Sequence, residues 1–161
     1  MILGIDAAKN RTGWALLTDD EQLVETGVIV IDHSDEDRRR AFGMVRDELV
    51  SIGRMADARD VDVVGVFVES AFLGPSAKVA IEHARWIGSV EAIAWRVFGY
   101  ALIEMVSPRE WRQILGIAGK GKEPVRAWGE GQWPELATRS QDEIDAAAIA
   151  CAALRKVEVV A

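Results

Sequence analysis

Residues 2–17, ILGIDAAKNRTGWALL, contain two apolar runs separated by a polar turn. The runs 2–6 and 13–17 have the length and composition of β-strands. A third run, 22–31, is rich in β-branched residues and also follows a turn. Because short connections join antiparallel neighbours, the chain is predicted to begin with a three-stranded meander.

The pattern then alternates between helices and strands. Residues 36–56 and 76–98 carry apolar side chains at helical spacing, whereas 61–68 and 100–106 are predicted strands, the first buried on both faces. A meander followed by β-α-β crossovers predicts an α/β fold, with a mixed five-stranded sheet and helices on both faces. Without a linker or an internal repeat, we expect a single domain over residues 1–161.

Capping sequences predict two further helices. Ser107-Pro108-Arg109-Glu110 has Ser at the N-cap, Pro at the first helical position and Glu at the third. The segment 140–143, SQDE, has a similar form and begins a helix that continues to residue 154. That last helix is rich in alanine and apolar nearly all round, which indicates burial against the sheet.

Composition limits the function classes. The 161 residues include 19 Lys and Arg against 26 Asp and Glu, a net charge of -7 that does not favour nucleic-acid binding, yet residues 70–126 are basic on balance. A single cysteine, Cys151, excludes a disulfide framework and a cysteine zinc site. No apolar run reaches the ~18 residues of a membrane span, and the N-terminus lacks a signal-peptide pattern. We therefore expect no membrane partner and a cytoplasmic protein, in a bacterium or in the host of a virus.

Four carboxylates occur where burial should exclude a charge. Asp6 ends the first apolar run, Glu69 follows the run 61–68, and Asp142 and Asp145 share one face of the last helix. If these elements meet, the four carboxylates repel one another unless a bound cation neutralises their charge. Oxygen ligands select Mg²⁺ or Mn²⁺ for this purpose. Two such ions would serve phosphodiester hydrolysis. Each residue alone has a structural explanation, such as a helix-dipole contact or an ion pair; the combination favours a metal site.

Several of these segments together resemble the RuvC-type Holliday junction resolvases of the ribonuclease H-like superfamily. Residues 2–17 are similar to the first two strands of that family, VFVESAFLGPSAKVAIEHARWIG to its second motif, and DEIDAAAIACAAL to its final helix. The resemblance implies a ribonuclease H-like fold and an Mg²⁺- or Mn²⁺-dependent endonuclease with two ions per active site. It implies that this enzyme resolves four-way DNA junctions by paired symmetric nicks, with Asp6, Glu69, Asp142 and Asp145 as catalytic residues and metal ligands.

The resemblance also suggests where DNA is bound. Phe72 lies at the position of an aromatic wedge that opens a base step. The segment SPREWRQILGIAGKGKEPVRAW is similar to the basic stretch through which the family contacts DNA. The predicted phosphate contacts are Lys78, Arg109, Arg112, Lys120 and Lys122. The alternatives are a Phe72 that only packs against its neighbours and a basic loop that is only solvated.

The sequence also predicts a partner subunit and leaves alternative functions open. The helix 76–98 carries more apolar surface than one sheet face needs, and the resemblance implies a homodimer joined through it; a fully buried core helix is the alternative. We expect the acidic surplus within 19–37 to face away from DNA. A ribonuclease H-like nuclease specific for flaps, other branched DNA or structured RNA, and a junction-binding module without catalysis, are the alternative functions.

Overall fold

The computed structural model describes residues 1–8, 10–31, 38–71 and 76–160 and shows a five-stranded sheet in the order β3-β2-β1-β4-β5. Its first three strands are β1 (Ile2–Ala7), β2 (Arg11–Leu17) and β3 (Leu23–Val30), paired antiparallel. The strands β4 (Gly65–Glu69) and β5 (Leu102–Val106) continue the sheet parallel to β1. The predicted meander and mixed sheet are confirmed.

Helices cover both faces of this sheet, as predicted. One face packs against α1 (Arg38–Asp57) and α2 (Ala77–Val97). The other carries the remaining elements. These are α3 (Pro108–Ile114), α4 (Glu123–Gln132), a short 3₁₀ helix (Pro134–Thr138) and α5 (Gln141–Val160).

Helix α5 lies unusually close to the strands below it. A Cβ atom added to Gly4 would lie 2.1 Å from the carbonyl oxygen of Ala146, and one added to Gly13 would lie 2.1 Å from that of Asp142. Every residue from 144 to 154 except Asp145 is buried. The glycines of β1 and β2 and the alanines of α5 therefore fix the first turns of α5 directly above the sheet.

The predicted capping sequences form as expected. The Ser107 hydroxyl accepts a hydrogen bond from the Glu110 backbone N–H at 3.2 Å. At the start of α5, Glu143 Oε2 accepts bonds from both the backbone N–H and the hydroxyl of Ser140, at 2.9 and 2.8 Å. Glu143 Oε1 also accepts the hydroxyl of Thr26 on β3, so this cap ties the helix to the sheet.

Three predicted boundaries were wrong, and one region was missed. The last helix, predicted to end at residue 154, continues to Val160. The strand predicted over 61–68 begins only at Gly65, because α1 ends in a turn with Asp60 at a φ of 56° and the N–H of Val61 still donates to the carbonyl of Ala56 in that turn. Val61 and Val64 are exposed there. The strand predicted from residue 100 begins at Leu102, and α4 with its 3₁₀ helix was not predicted. The start of the helix predicted from residue 36 lies outside the described residues.

Within the described ranges, no helix combines the length and the hydropathy that crossing a membrane requires.

Candidate active site

The carboxyl ends of β1 and β4 meet at one edge of the sheet and bring two carboxylates there. Asp6 pairs with Gly13 on one side of β1, and Glu69 ends β4 opposite Val106. Because β1 and β4 are adjacent and parallel, both side chains reach the same edge. Helix α5 begins above this edge and adds Asp142 and Asp145 from its first turns.

The pKa of Asp6 responds to the charges of the other three groups. Burial, followed by the negative charges of Glu69, Asp145 and Asp142, raises the pKa of Asp6 to about 8 from its ordinary 3.8. Lys122 acts in the opposite direction and is the smallest contributor. The structure thus gathers the four predicted acids into one carboxylate cluster, defined here as Asp6, Glu69, Asp142 and Asp145.

Three members of this carboxylate cluster are held by neighbours. The indole N–H of Trp111 donates to Glu69 Oε1 at 2.8 Å, and the side-chain amide of Gln141 donates to Asp145 Oδ1 at 2.9 Å. Arg11 Nε donates to Asp142 Oδ2 at 2.6 Å. Burial nevertheless raises the pKa of both Glu69 and Asp145, against the effect of these hydrogen bonds.

The fit of this cluster to a metal rests on its donor chemistry. Among the described residues, no three His, Cys, Asp or Glu side chains are arranged to hold one ion, so the predicted metal site stays a prediction. The donors are nevertheless oxygen atoms, partly buried and mutually repelling, which is the ligand set that Mg²⁺ and Mn²⁺ prefer. The donor type of these residues therefore suits a hard divalent cation, although their described arrangement does not form a ready-made site for one ion.

Two of the predicted phosphate contacts lie beside the carboxylate cluster. The charge of Arg112 lowers the pKa of Glu69 and Asp145, and that of Lys122 lowers the pKa of Asp6 and Asp145. Arg112 also lies 5.1 Å from the ring centroid of Trp111 and donates to the carbonyl of Gly121 at 2.9 Å. It therefore fixes the loop that carries Lys122 against α3.

The other predicted DNA contacts lie on the exposed surface or outside the described residues. Lys78 is exposed in the first turn of α2, and Lys120 is exposed in the loop before α4. Arg109 is exposed on α3 beside Glu110 in a shallow surface pocket that Lys156 also lines. Phe72 lies outside the described residues.

Sequence reasoning missed three residues of the site. Trp111 packs as a core residue, with 1% of its surface exposed, but its indole nitrogen also positions Glu69. Arg11 lies in the predicted polar turn and Gln141 in the predicted helix cap, and neither position by itself indicates a role in the site. The signal for Gln141 was its four-residue spacing from Asp145, whereas the pairing of Arg11 with Asp142 spans 131 positions.

The acidic turn between β2 and β3 lies far from the carboxylate cluster. Because β1 and β2 run antiparallel with Ile2 opposite Leu17, residues 18–22 are at the other end of these strands from Asp6. Asp19 there pairs with the amino terminus at 3.2 Å, and Glu21 with Arg155 at 2.7 Å. This part of the acidic surplus faces away from the site; residues 32–37 lie outside the described residues.

Solved structures share this architecture over nearly the whole chain. The structure of Thermus thermophilus RuvC in complex with a Holliday junction substrate matches with a TM-score of 0.77 and 19% identity, over 98% of this chain and 94% of that chain. A second Thermus thermophilus RuvC structure matches with a TM-score of 0.74 and 19% identity, over 99% and 96%. The chain has the RuvC fold.

The matches confirm the fold that the resemblance implied, and the mixed sheet is the one that the pattern of strands and helices predicted. No family model matches the sequence, and no curated protein matches it either. The likeness in fold extends over nearly the whole chain. At 19% identity it is the geometry at the carboxylate edge, together with the RuvC fold, that guides a functional interpretation.

Proposed function

We propose that this protein is a divalent-metal-dependent endonuclease that resolves four-way DNA junctions by paired symmetric nicks in the cytoplasm. The observation that supports this proposal is the carboxylate cluster at one sheet edge, with the negative charges of the other three members raising the pKa of Asp6. The RuvC fold supports the proposed substrate class, because a structure with this fold is a complex with a Holliday junction substrate.

In this proposal Asp6, Glu69, Asp142 and Asp145 hold the metal. Divalent ions bound there would activate a water molecule for attack on the phosphodiester and stabilise the leaving 3′ oxygen. The neighbouring residues position the ligands: Trp111 fixes one oxygen of Glu69, and Gln141 fixes one oxygen of Asp145. A carboxylate already oriented by a rigid neighbour loses less freedom when it binds a cation.

The basic residues in this proposal bind the DNA backbone beside the carboxylates. Arg112 and Lys122 already act electrostatically on the cluster and would contact the phosphates nearest the cut. Lys78, Arg109 and Lys120 would contact phosphates farther away. Phe72, which follows Glu69 by three residues, would open the base step at the junction centre.

A homodimer through α2 would supply two active sites for two nicks. One face of α2 is exposed at Ile81, Ala84, Gly88, Ala92 and Trp95, which recur at helical spacing. The exposed fractions of Ile81 and Trp95 are 53% and 50%, large for such apolar side chains. The small residues between them would allow a second helix to approach closely, as an interface around a two-fold axis requires. Replacing Ile81 with Glu should give a monomer in sedimentation experiments, with Glu91→Gln as control.

The decisive experiment incubates the protein with a labelled, mobile four-way junction and either Mg²⁺ or Mn²⁺. We expect symmetric paired nicks that are lost when Asp6 is replaced with Asn while junction binding persists. Binding without cleavage in both metals would refute the catalytic proposal and favour a junction-binding module. Parallel flap and structured-RNA substrates test the specificity, since faster cutting of either would indicate a nuclease of another type.

A further inference from the structure

A groove between α1 and α2 lies on the opposite face of the sheet from α5. It encloses a cavity of about 660 Å³. Half-buried apolar side chains line its depth, namely Phe42, Val50, Ile93 and Val97. Exposed arginines form its rim, namely Arg39, Arg46, Arg54 and Arg96. The described lining contains one acidic residue, Asp57, so the groove is strongly basic although the chain has a net charge of -7.

The arginines of this groove are available to a ligand. Within the described residues, the side chains of Arg39, Arg54 and Arg96 make no hydrogen bond or ion pair. Arg46 pairs at 2.7 Å with Asp47, its neighbour in the chain, and both side chains are more than 60% exposed. Such an exposed pair contributes little and exchanges readily for a better partner. The helix dipoles account for Arg54 and Arg96 in the last turns of their helices, but not for Arg39 and Arg46.

The floor of the groove is preformed. Phe42 stacks on Trp86 with ring centroids 5.7 Å apart, which fixes the aromatic side chain on the groove wall. A Cβ atom added to Gly43 would meet nothing within 4 Å, so the glycine leaves open space in the lining. An apolar ligand group could therefore enter without displacing a side chain.

We infer that this groove binds an acidic, amphipathic peptide segment of a partner protein. Its carboxylates would pair with the arginine rim and its aliphatic side chains would cover the apolar floor. A DNA backbone is the less suitable ligand, because phosphates would satisfy the rim and leave the floor exposed. The groove also lies on the face away from Asp142 and Asp145. Electrostatic attraction would steer an acidic segment towards the arginine rim of this groove.

The test is fluorescence anisotropy with the full-length protein and a labelled peptide of Glu, Leu and Ala at helical spacing. A peptide of the same length with Lys in place of Glu is the charge control, and labelled duplex DNA is the nucleic-acid control. We expect the acidic peptide to bind and the basic one not to bind. Its affinity should fall as salt is added, since the rim pairs are exposed.

Three variants separate charge from apolar contact. Arg54→Glu should weaken peptide binding about tenfold, whereas Arg59→Glu, with the same charge change outside the groove, should leave it nearly unchanged. Gly43→Leu fills the groove and keeps all four arginines, so it should weaken the acidic peptide and not duplex DNA. Circular dichroism confirms that each variant is folded.

Two results would overturn the inference. One is the absence of peptide binding to the parent protein. The other is peptide binding that survives Gly43→Leu while Arg54→Glu weakens peptide and duplex DNA equally, because the groove would then be a phosphate contact. The inference does not depend on the nuclease proposal, since peptide binding and junction cleavage are measured separately.

Discussion

Gly13 lies directly beneath the backbone of Asp142, and a methyl group on Gly13 would come within 2.1 Å of that carbonyl oxygen. A side chain at this position must therefore move either the strand or the helix. Asp6 is the partner of Gly13 in the sheet, so the contact joins two members of the carboxylate cluster through one glycine. The stability of the fold and the geometry of the site depend on the same close approach.

We expect Gly13→Ala to lower the free energy of unfolding by about 1–3 kcal/mol, the usual cost of overpacking. The variant should also lose nuclease activity at temperatures where it stays folded, because α5 carries two of the carboxylates. Thermal unfolding followed by circular dichroism measures the first effect. Gly131→Ala in α4 is the control, since a Cβ there meets nothing within 4 Å and alanine favours a helix. Equal stability of the two variants would contradict the packing argument.

Replacing Trp111 with Phe should reduce the rate of cleavage more than it weakens junction binding. The change keeps most of the buried ring but removes the hydrogen bond to Glu69, which loses its fixed orientation. The expected loss is about tenfold in kcat, equivalent to ~1.4 kcal/mol. Single-turnover cleavage measures it, and Trp128→Phe is the control because Trp128 lies outside the carboxylate cluster. A change in binding alone would argue against a positioning role.

In the absence of divalent metal, Asp6→Asn should stabilise the protein above pH 8. The pKa of Asp6 is about 8 in the folded chain against an ordinary 3.8, mainly because of burial and then of Glu69. Between these values the folded chain retains a proton that the unfolded chain releases, so the free energy of unfolding falls as pH rises. The Asp6→Asn variant has no ionisable group at this position, so its free energy of unfolding does not fall in this way as the pH rises. Its advantage should be at least ~1.4 kcal/mol, which corresponds to a tenfold change in proton affinity.

Urea unfolding with a chelator at several pH values tests this sign. The advantage of Asp6→Asn should disappear below the ordinary pKa of 3.8, where both states are protonated. Asp47→Asn is the control, since Asp47 is 68% exposed and its ion pair within the described ranges is with Arg46 on the surface. A variant less stable than the parent at high pH would show that Asp6 is neutralised by a protein cation.

Glu143→Gln should have the opposite pH dependence. Burial opposes ionisation of Glu143, but hydrogen bonds from Ser140 and Thr26 and the charge of Arg139 together lower its pKa below the ordinary 4.5. Its stabilising effect is therefore complete above pH 4.5 and is lost as the pH falls further. We expect the variant to lose about 1–2 kcal/mol at neutral pH, and less in acid. Glu135→Gln, on the exposed surface, should show no such difference.

The sheet and the gathering of the four acids followed from local rules. An acid at the end of a buried strand must lie at the sheet edge, and adjacent parallel strands bring such ends together, as Asp6 and Glu69 show. Asp142 and Asp145 followed from helical spacing and an apolar face. Their predicted metal-binding and catalytic roles stay predictions.

What could not be predicted depends on long-range contacts. The sequence of helix α4 contains glycines and a tryptophan, and its helical pattern is weak when the segment is considered alone. The C-terminal end of the helix is anchored by Trp133, whose indole N–H donates to the carbonyl oxygen of Glu21 at 3.0 Å. Trp111 is of a residue type that is common in protein cores, and only the fold shows that its indole nitrogen reaches Glu69. Val61 and Val64 favoured a strand by composition, but the N–H of Val61 donates back to the carbonyl of Ala56 in the turn after α1. Val64 bonds to Met1 and Leu102 only at the point where the paired strands begin.

The order of the elements along the chain has a consequence for biosynthesis. Asp6 lies in the first strand, and Asp142 and Asp145 lie in the last helix, whose alanines cover one face of the first two strands. While the α5 segment is still inside the ribosome, the folded part of a nascent chain can contain only Asp6 and Glu69 of the carboxylate cluster. An enzyme that cuts DNA would thus be assembled only after its final helix docks, and chains truncated before that helix would have no complete site.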